Sequence, residues 1–562
     1  MRRCLKALVA LALAGLFVGG LVLLIAFPLG ILPAVIRQRL LLAPKSNGEY
    51  STITGYWQKL PTLNHFDFYL FNLTNPDEAE YLSAKPSVGE FGPYSFKETE
   101  HKDHIDWLNN DKEVYFRNEK TFVFDPERSC KKCTYNDQFT LPNLMYLAVS
   151  LSEKQHMIQP IQRFMVDLAL LFMGEYPYKT VSVGGILFDG YYDPMLHMKN
   201  SKFFTTDMPN FFNKSMEQFL GMPIPDIKYA GYFAHYNNTN DEDYIVKTGK
   251  TNADQINQIV KWANMTKLTW WGDERANRIA GLTDGSFNKP YPSKTDKIEI
   301  FRSYGCRTFP LVFEKETSVQ GITGYQFKIS EHAYDTQLSI NAGYKSKNTF
   351  NKDFFPGWPC TEYGPMPDNQ SVCATINCEN PELYCHGCCS PERNRYMIPP
   401  GMMDLKCFPG KNEEMPLPAM ISPPHFLESP SQVHDSIIGL KPNRKKHSSG
   451  HFTLQPLTGN AIAVKFRLQV SLGVYQDSGL TSLNHMRSSM VPVLWVEVNA
   501  DPADYAIDYL YTYTVVIPKV ILGLGICFTA IPILFGTAYT IWRCRRRSSL
   551  PEGGSIKLLS FK

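Results

Sequence analysis

Two stretches of the chain carry no charge at all, and the long segment between them moves among helical and strand-like periodicities. Ala7 to Ile36 is thirty residues without a charged side chain, bracketed by Arg2, Arg3 and Lys6 before it and Arg37 and Arg39 after it. Val520 to Trp542 is a second uncharged run, of twenty-three residues, followed by Arg543, Arg545, Arg546 and Arg547. A helix rises about 1.5 Å per residue and needs roughly 20 apolar residues to cross a ~30 Å hydrocarbon core, so either run can span. A cleaved signal peptide would show only about 7 to 15 apolar residues and then a small-residue cleavage site, and the first run fits neither condition. Pro28 and Pro33 are expected near the outer edge, where the helix can end. The basic flanks place both short tails, 1–6 and 543–562, in the cytoplasm. Transmembrane helices are then expected at 7–36 and 517–542, with one large exoplasmic domain at 37–516. Tyr505, Tyr509, Tyr511 and Tyr513 before the second run, and Tyr539 and Trp542 at its end, read as interfacial aromatic belts. Lys519 lies where its ammonium can snorkel to water.

Inside the large segment the periodicity changes several times. Leu141, Leu144, Met145, Ala148 and Leu151 recur at helical spacing behind Pro142, and Ile161, Phe164, Met165, Leu168 and Phe172 repeat the pattern. For such stripes, ordinary core packing is the expected use. A further helix is expected from Asn252 to Asn264, with Ile256, Ile259, Val260 and Ala263 on one face. The runs TFPLVF and YQFKI favour antiparallel sheet. In AIAVKFRLQVSL, Ile462, Val464, Phe466, Leu468, Val470 and Leu472 alternate with Lys465, Arg467, Gln469 and Ser471, which predicts a strand with one dry face and one wet face.

Composition sharpens the topology. Net charge is only +3 over 562 residues, so nothing global points to nucleic acid. Of thirteen cysteines, Cys4, Cys527 and Cys544 belong to the tails and apolar runs. The other ten lie in the large segment: Cys130, Cys133, Cys306, Cys360, Cys373, Cys378, Cys385, Cys388, Cys389 and Cys407. That partition fits an oxidising compartment and up to five disulfides. Glycosylation triplets at Asn72, Asn213, Asn237, Asn264 and Asn369 all fall in the same segment.

Candidate chemistry is sparse. His101, Asp103, His104 and Asp106 in HKDHID have metal-ligand residue types, but the surroundings alternate like a strand and a polar strand edge or loop explains them. The CxxC pairs Cys130/Cys133 and Cys385/Cys388 are expected to be disulfides in an oxidising compartment rather than a zinc or redox centre. The basic run KPNRKKHSSGH, with Lys441, Arg444, Lys445 and Lys446, is expected to be a solvated loop, its functional alternative being an anionic headgroup patch. Cys4 and Cys544 beside the apolar runs are palmitoylation candidates. Leu558-Leu559 lacks an acidic residue four positions upstream, where Gly554 stands, so it does not read as a lysosomal dileucine signal. No GxSxG, HExxH or phosphate-binding loop is present, and no enzyme, metal or cofactor is expected. A two-span ion channel shares the topology, but Val520 to Trp542 offers a pore only Thr529, Thr537, Tyr539 and Thr540.

The element FYLFNLTNP followed by KPSVGEFGPYSF resembles the class B scavenger receptor family. The likeness continues through LPNL, DGYYDP, GLTDGSFNKP, SPPHFLESP and MVPVLWVEV, and covers nearly the whole chain. It implies an α+β membrane protein: a large exoplasmic domain with an antiparallel β-barrel-like core, a helical apex and an internal apolar tunnel, held by two transmembrane helices. It implies a plasma-membrane receptor that binds lipids, fatty acids, sterols or lipoproteins and passes apolar cargo to the bilayer. The alternative is an endosomal or lysosomal cargo or adhesion receptor that binds a protein at its apex; homo-oligomerisation stays open. Apex candidates are Leu168, Leu171, Phe172, Phe203, Phe204, Phe211 and Phe212. Where family members carry basic apex residues, this chain has Met173 and Glu175, with only Lys179 after them. The family also implies a disulfide cluster that includes Cys306 and Cys407, their partners left open.

Overall fold

The computed structural model describes residues 2–155, 160–197, 228–234, 236–345, 398–415 and 419–548. Two compact units are present, and each is described by itself. The smaller contains both apolar helices. The N-terminal one runs without interruption from Arg2 to Leu40 and passes both prolines, so it does not end at Pro28 or Pro33 as expected. Its middle, Val22–Ile31, is wound as a π-helix, the wider bonding that lets a chain absorb the carbonyl Pro28 cannot serve. The C-terminal helix likewise starts earlier than expected, at Asp504, with a π-helical stretch at Thr512–Val516 and a last segment of Ile517–Ser548. The helices approach closely through glycine. A Cβ added at Gly20 would lie 2.6 Å from the Thr529 methyl, and one at Gly525 would lie 2.9 Å from Leu24. Gly523 faces open space.

The larger unit is built on one antiparallel sheet. Its strands are β1 (Thr62–Leu73), β2 (Val88–Leu108), β3 (Glu113–Phe124), β6 (Thr239–Lys247), β7 (Ile259–Trp262), β8 (Ile298–Arg302), β9 (Arg307–Val319), β10 (Ile322–Ile329), β11 (Met403–Asp404), β12 (Ala419–Ser422), β13 (Gly450–Leu454), β14 (Ala461–Val474) and β15 (Ser489–Pro502). A separate hairpin pairs β4 (Gln138–Pro142) with β5 (Tyr178–Ser182). Order along the main sheet is β7-β6-β3-β2-β1-β15-β14-β13-β10-β9-β8. The two ends are joined by the segment 281–283. Ile259 N–H donates to Leu282 O at 2.7 Å, and Phe301 N–H donates to Thr283 O at 2.9 Å, which links β7 to β8 and closes a barrel-like ring. Closure leaves no open edge at these strands. Aromatic side chains fill the core on the buried face of β1 to β3, where Phe68, Phe96, Phe122, Phe188 and Phe233 meet edge to face or stacked.

Three expectations change. Asn252 to Asn264 is not a helix. Asn252 caps a single turn at Ala253–Gln255, Asn257 adopts a left-handed φ of 57°, and the remaining apolar residues enter β7, where Trp262 pairs with Tyr244. Side-chain capping by asparagine favours the turn over the helix. The first apolar helix starts at Leu144, because Leu141 and Pro142 complete β4 against Lys179 and Tyr178; it is α1 (Leu144–Gln155). Finally, the polar face of β14 is wet only at Lys465, whose side chain is 43% exposed. Arg467, Gln469 and Ser471 are all buried, along with the apolar residues between them. TFPLVF and YQFKI do form strands, within β9 and β10.

Candidate ligand-binding site

The helix α2 (Pro160–Met173) carries the predicted stripe, and the structure turns that stripe outward. Phe172 is 84% exposed, Phe164 58% and Ile161 57%; Leu171 is also exposed and Leu168 half-buried, while Val166, Asp167 and Leu170 face inward. Core packing is therefore not the use of this stripe. The reason lies in two polar hooks one turn apart. The Arg163 guanidinium donates to Asp477 at 2.6 Å. Asp167 accepts from the Thr481 backbone N–H at 2.9 Å and from its hydroxyl at 2.6 Å. Buried charge-assisted bonds cost more to break than a few exposed apolar side chains cost to leave in water, so the hooks set the helix's rotation. Gly479 leaves room for the hook: a Cβ there would collide with the Arg163 guanidinium.

Between α2 and the 478–485 turn lies a groove of about 640 Å³, lined by Tyr81, Phe164, Leu171 and Tyr176 on its apolar side and by Arg163, Asp167, Asn484 and His485 on its polar side. Such a groove can hold an amphiphile, chain against the rings and head against the polar turn. Beneath it, Glu175 is buried and takes the Lys179 ammonium at 2.7 Å and an Asn143 N–H at 2.6 Å, so these two charges neutralise each other rather than face a ligand. Asp193 lies 3.5 Å from the same ammonium, and burial, with Glu175 adding repulsion, pushes its carboxyl up to about 6. Phe203, Phe204, Phe211 and Phe212 lie outside the described residues.

A second constellation was not foreseen, although its members sit in segments that carry the family likeness. Glu90 of KPSVGEF, His425 of SPPHF and Trp495 of MVPVLW meet His447 and Lys446 of the basic run. Glu90 accepts from His425 Nε2, from Trp495 Nε1 at 3.0 Å and from Lys446 Nζ at 2.8 Å. Burial alone would raise the Glu90 carboxyl, but those three donors outweigh it and hold the group down at about 2. His447 stacks on His425 with centroids 4.1 Å apart, and Trp495 stacks on Tyr69 at 3.9 Å. The His425 backbone is held at φ 55° by its N–H bond of 2.6 Å to Gln469, one of the buried polar residues of β14.

Glu90, His425 and His447 bring three metal-type ligand atoms within 4.8 Å of one another. The ring bonding argues against a metal. His425 Nδ1 accepts the Lys441 backbone N–H and His447 Nδ1 accepts that of Asn443, each at 3.1 Å. A neutral ring that accepts at Nδ1 carries its proton on Nε2, which in His425 is the atom bonded to Glu90, whereas a metal-bound imidazole donates from its remote nitrogen. HKDHID lies in β2, where Lys102 is the buried residue, over Trp57 and Phe116, and His101 and His104 are exposed.

The other sequence candidates fall as follows. The basic run is not a loop throughout: Asn443 caps the one-turn helix α3 (Arg444–His447). Arg444 pairs with Glu331 at 2.9 Å and Lys446 with Glu90, so half of the charge on which the alternative, an anionic headgroup patch, would rest is neutralised; Lys441 and Lys445 are exposed. Cys130 is bonded to Cys133 and Cys306 to Cys407. Cys360, Cys373, Cys378, Cys385, Cys388 and Cys389 lie outside the described residues, as do Asn213 and Asn369. Asn264 is exposed; Asn72 is half-buried and accepts from the Thr140 N–H; the Asn237 amide bonds both backbone groups of Phe122. Cys544 is exposed, and Cys4 lies in the first turn of the N-terminal helix.

Comparison with known proteins agrees with this architecture. The chain is 29% identical to an uncharacterized protein of Caenorhabditis elegans over 95% of this chain and 96% of the relative. It is 27% identical to mouse scavenger receptor class B member 1, over 89% of this chain and 84% of that one. It is 25% identical to human lysosome membrane protein 2, over 88% and 87%. The profile of the CD36 family matches residues 10–542, from within the first apolar helix to the last turns of the second. With a barrel-like antiparallel core, two terminal apolar helices and a match along nearly its whole length, the chain belongs to the CD36 family.

Proposed function

We propose that the protein is a surface receptor that captures lipids or lipoprotein particles on α2 and its groove, then passes apolar cargo through the exoplasmic domain to the bilayer. Membership of a family of lipid and lipoprotein receptors supports a receptor rather than an enzyme. The protein crosses the membrane twice, with both tails cytoplasmic; residues 37–516 form the glycosylated exoplasmic domain in this reading. The observation that carries it is the outward apolar face of α2, with Phe164, Leu171 and Phe172 beside a groove of about 640 Å³. An apolar face of this kind on a folded domain marks a surface that meets a partner. A conduit lined by apolar side chains would let a lipid chain descend its gradient without ATP, because the chain never meets water. Similarity to lysosome membrane protein 2 supports the second reading, a receptor in endosomal or lysosomal membranes that binds a protein on the same helix.

The test is uptake of labelled phospholipid, sterol ester and fatty acid by cells expressing the full chain. L171D with F172D is expected to cut uptake at least fivefold at equal surface level. Unchanged uptake would remove α2 from the mechanism, and protein binding lost with lipid uptake intact would select the second reading.

A further inference from the structure

The stacked histidines suggest a use that lipid capture does not require. The His447 ring is held neutral by geometry: its Nδ1 receives the Asn443 backbone N–H at 3.1 Å, and an imidazolium has no lone pair left to accept it. His447 Nε2 is fully buried without a hydrogen-bond partner. The titratable and charged groups that face His447 are His425, stacked on it at 4.1 Å, Glu90 of β2, Lys446 of its own helix and Arg467 of β14. Lys446 and Arg467 are cationic, and the one anion, Glu90, already accepts three bonds. The ring also forms the hinge of a small piece of structure. The Asn443 N–H that it accepts belongs to the residue whose side chain caps α3, through the Lys445 and Lys446 N–H groups.

We propose that His447 is an acid-opened latch: when its Nδ1 takes a proton, the ring leaves its buried stack, the Asn443 cap is lost, and α3 swings out with Lys446 released from Glu90. The proton converts Nδ1 from acceptor to donor, so two donors then face each other across the former Asn443 bond and the closed form loses that contact. Opening turns a helix with half its charge neutralised into a flexible segment bearing Lys441, Arg444, Lys445 and Lys446 as solvated cations. The domain would thus present different surfaces at neutral and at acidic pH, with the barrel itself unchanged. Burial pushes His447 down to about 4 from an ordinary 6.5. Linkage then gives a rise in the open population of roughly seventyfold between pH 7.4 and 4.5.

Hydrogen exchange of the full chain in lipid nanodiscs, corrected for intrinsic rate, reads this directly. In the wild type, peptides covering 441–449 are expected to lose at least tenfold protection at pH 4.5 while peptides from 461–474 keep theirs. H447F takes no proton but also offers the Asn443 N–H no acceptor, so its protection over 441–449 is expected to fall below wild type at pH 7.4 and to stay within twofold of that level at pH 4.5. H447Q, whose amide oxygen can accept the Asn443 N–H, is expected to hold protection within twofold at both values, and it keeps the test decisive should H447F disturb the fold at pH 7.4. Equal acid loss in both variants, loss throughout 461–474, or no loss in the wild type would overturn the latch.

Discussion

The helix α2 and the strand β14 break the rule of apolar inside and polar outside, and they break it in opposite directions. On α2 the apolar residues Ile161, Phe164, Leu171 and Phe172 face water, because Arg163 and Asp167 are the side chains that grip the domain. On β14 the polar residues Arg467, Gln469 and Ser471 are sealed in, and each has found a partner: Glu497 and the Ser448 carbonyl, the His425 N–H, and the Gln469 amide. Burial is decided by which groups can be satisfied where, not by side-chain class alone. An apolar face left outside can be used to bind something. A polar face taken inside fixes one arrangement of its loops and becomes sensitive to any change in charge.

The buried side of this comparison breaks most severely. Arg467→Ala strands Glu497, which keeps only the weaker Lys465 and Asn499 contacts. A half-buried carboxylate that loses its closest partner, together with the buried contacts of the arginine itself, costs about 3 to 4 kcal/mol, so thermal unfolding in detergent should shift down strongly. The pair of changes Arg467→Met with Glu497→Leu should restore most of that loss. If the double change is as unstable as the single one, the pair acts through more than mutual neutralisation. On α2 the corresponding test is Leu170→Ala, on the inward face, expected to cost about 3 kcal/mol through cavity formation. A loss below about 1 kcal/mol would mean that α2 is held by its hooks alone.

These two elements also show what the sequence made legible. Periodicity located α2 and β14 correctly, because helix and strand spacing are set by local geometry. It assigned the wrong environment to one face of each. The hooks of α2 lie some 310 residues away, at Asp477 and Thr481, and the cover of β14 comes from the 425 turn and α3, so neither environment has a local signal. His447 was hidden for the same reason: read in line it is one more basic residue in KPNRKKHSSGH, while in the fold it is buried against His425. Asn252 to Asn264 failed differently. Its apolar spacing fits a helix, but three asparagines favour turns, and the strand pairing of Trp262 with Tyr244 took the rest.

Acid should act on the two regions with opposite sign. Asp193, below α2, is pushed up to about 6, so its neutral form is the one the fold prefers. Its contribution to stability is present below its ordinary value of 3.8 and is lost as pH rises through 6. His447 is pushed down to about 4, so its contribution is present above 6.5 and is lost as pH falls through 4. Asp193→Asn should therefore flatten only the first dependence: relative to wild type it gains about 2 kcal/mol at pH 7 and nothing at pH 4. A gain that is equal at both values would assign the effect to packing rather than to the carboxylate.

The smallest expected effect on stability falls on the residue most exposed in the comparison. Phe172 is 84% exposed, so its ring buries almost nothing on folding, and Phe172→Ser should change unfolding by no more than about 0.5 kcal/mol. If the outward face of α2 is a capture surface, the same change removes apolar area that a bound lipid would cover, worth about 1 to 2 kcal/mol or roughly tenfold in affinity for phospholipid vesicles or lipoprotein particles. Phe172→Leu should keep most of that affinity, since a leucine presents a comparable apolar surface. Equal losses for Ser and Leu would point to ring-specific contacts with a protein rather than to burial of a lipid chain, and no loss for either would leave α2 exposed for some purpose other than capture.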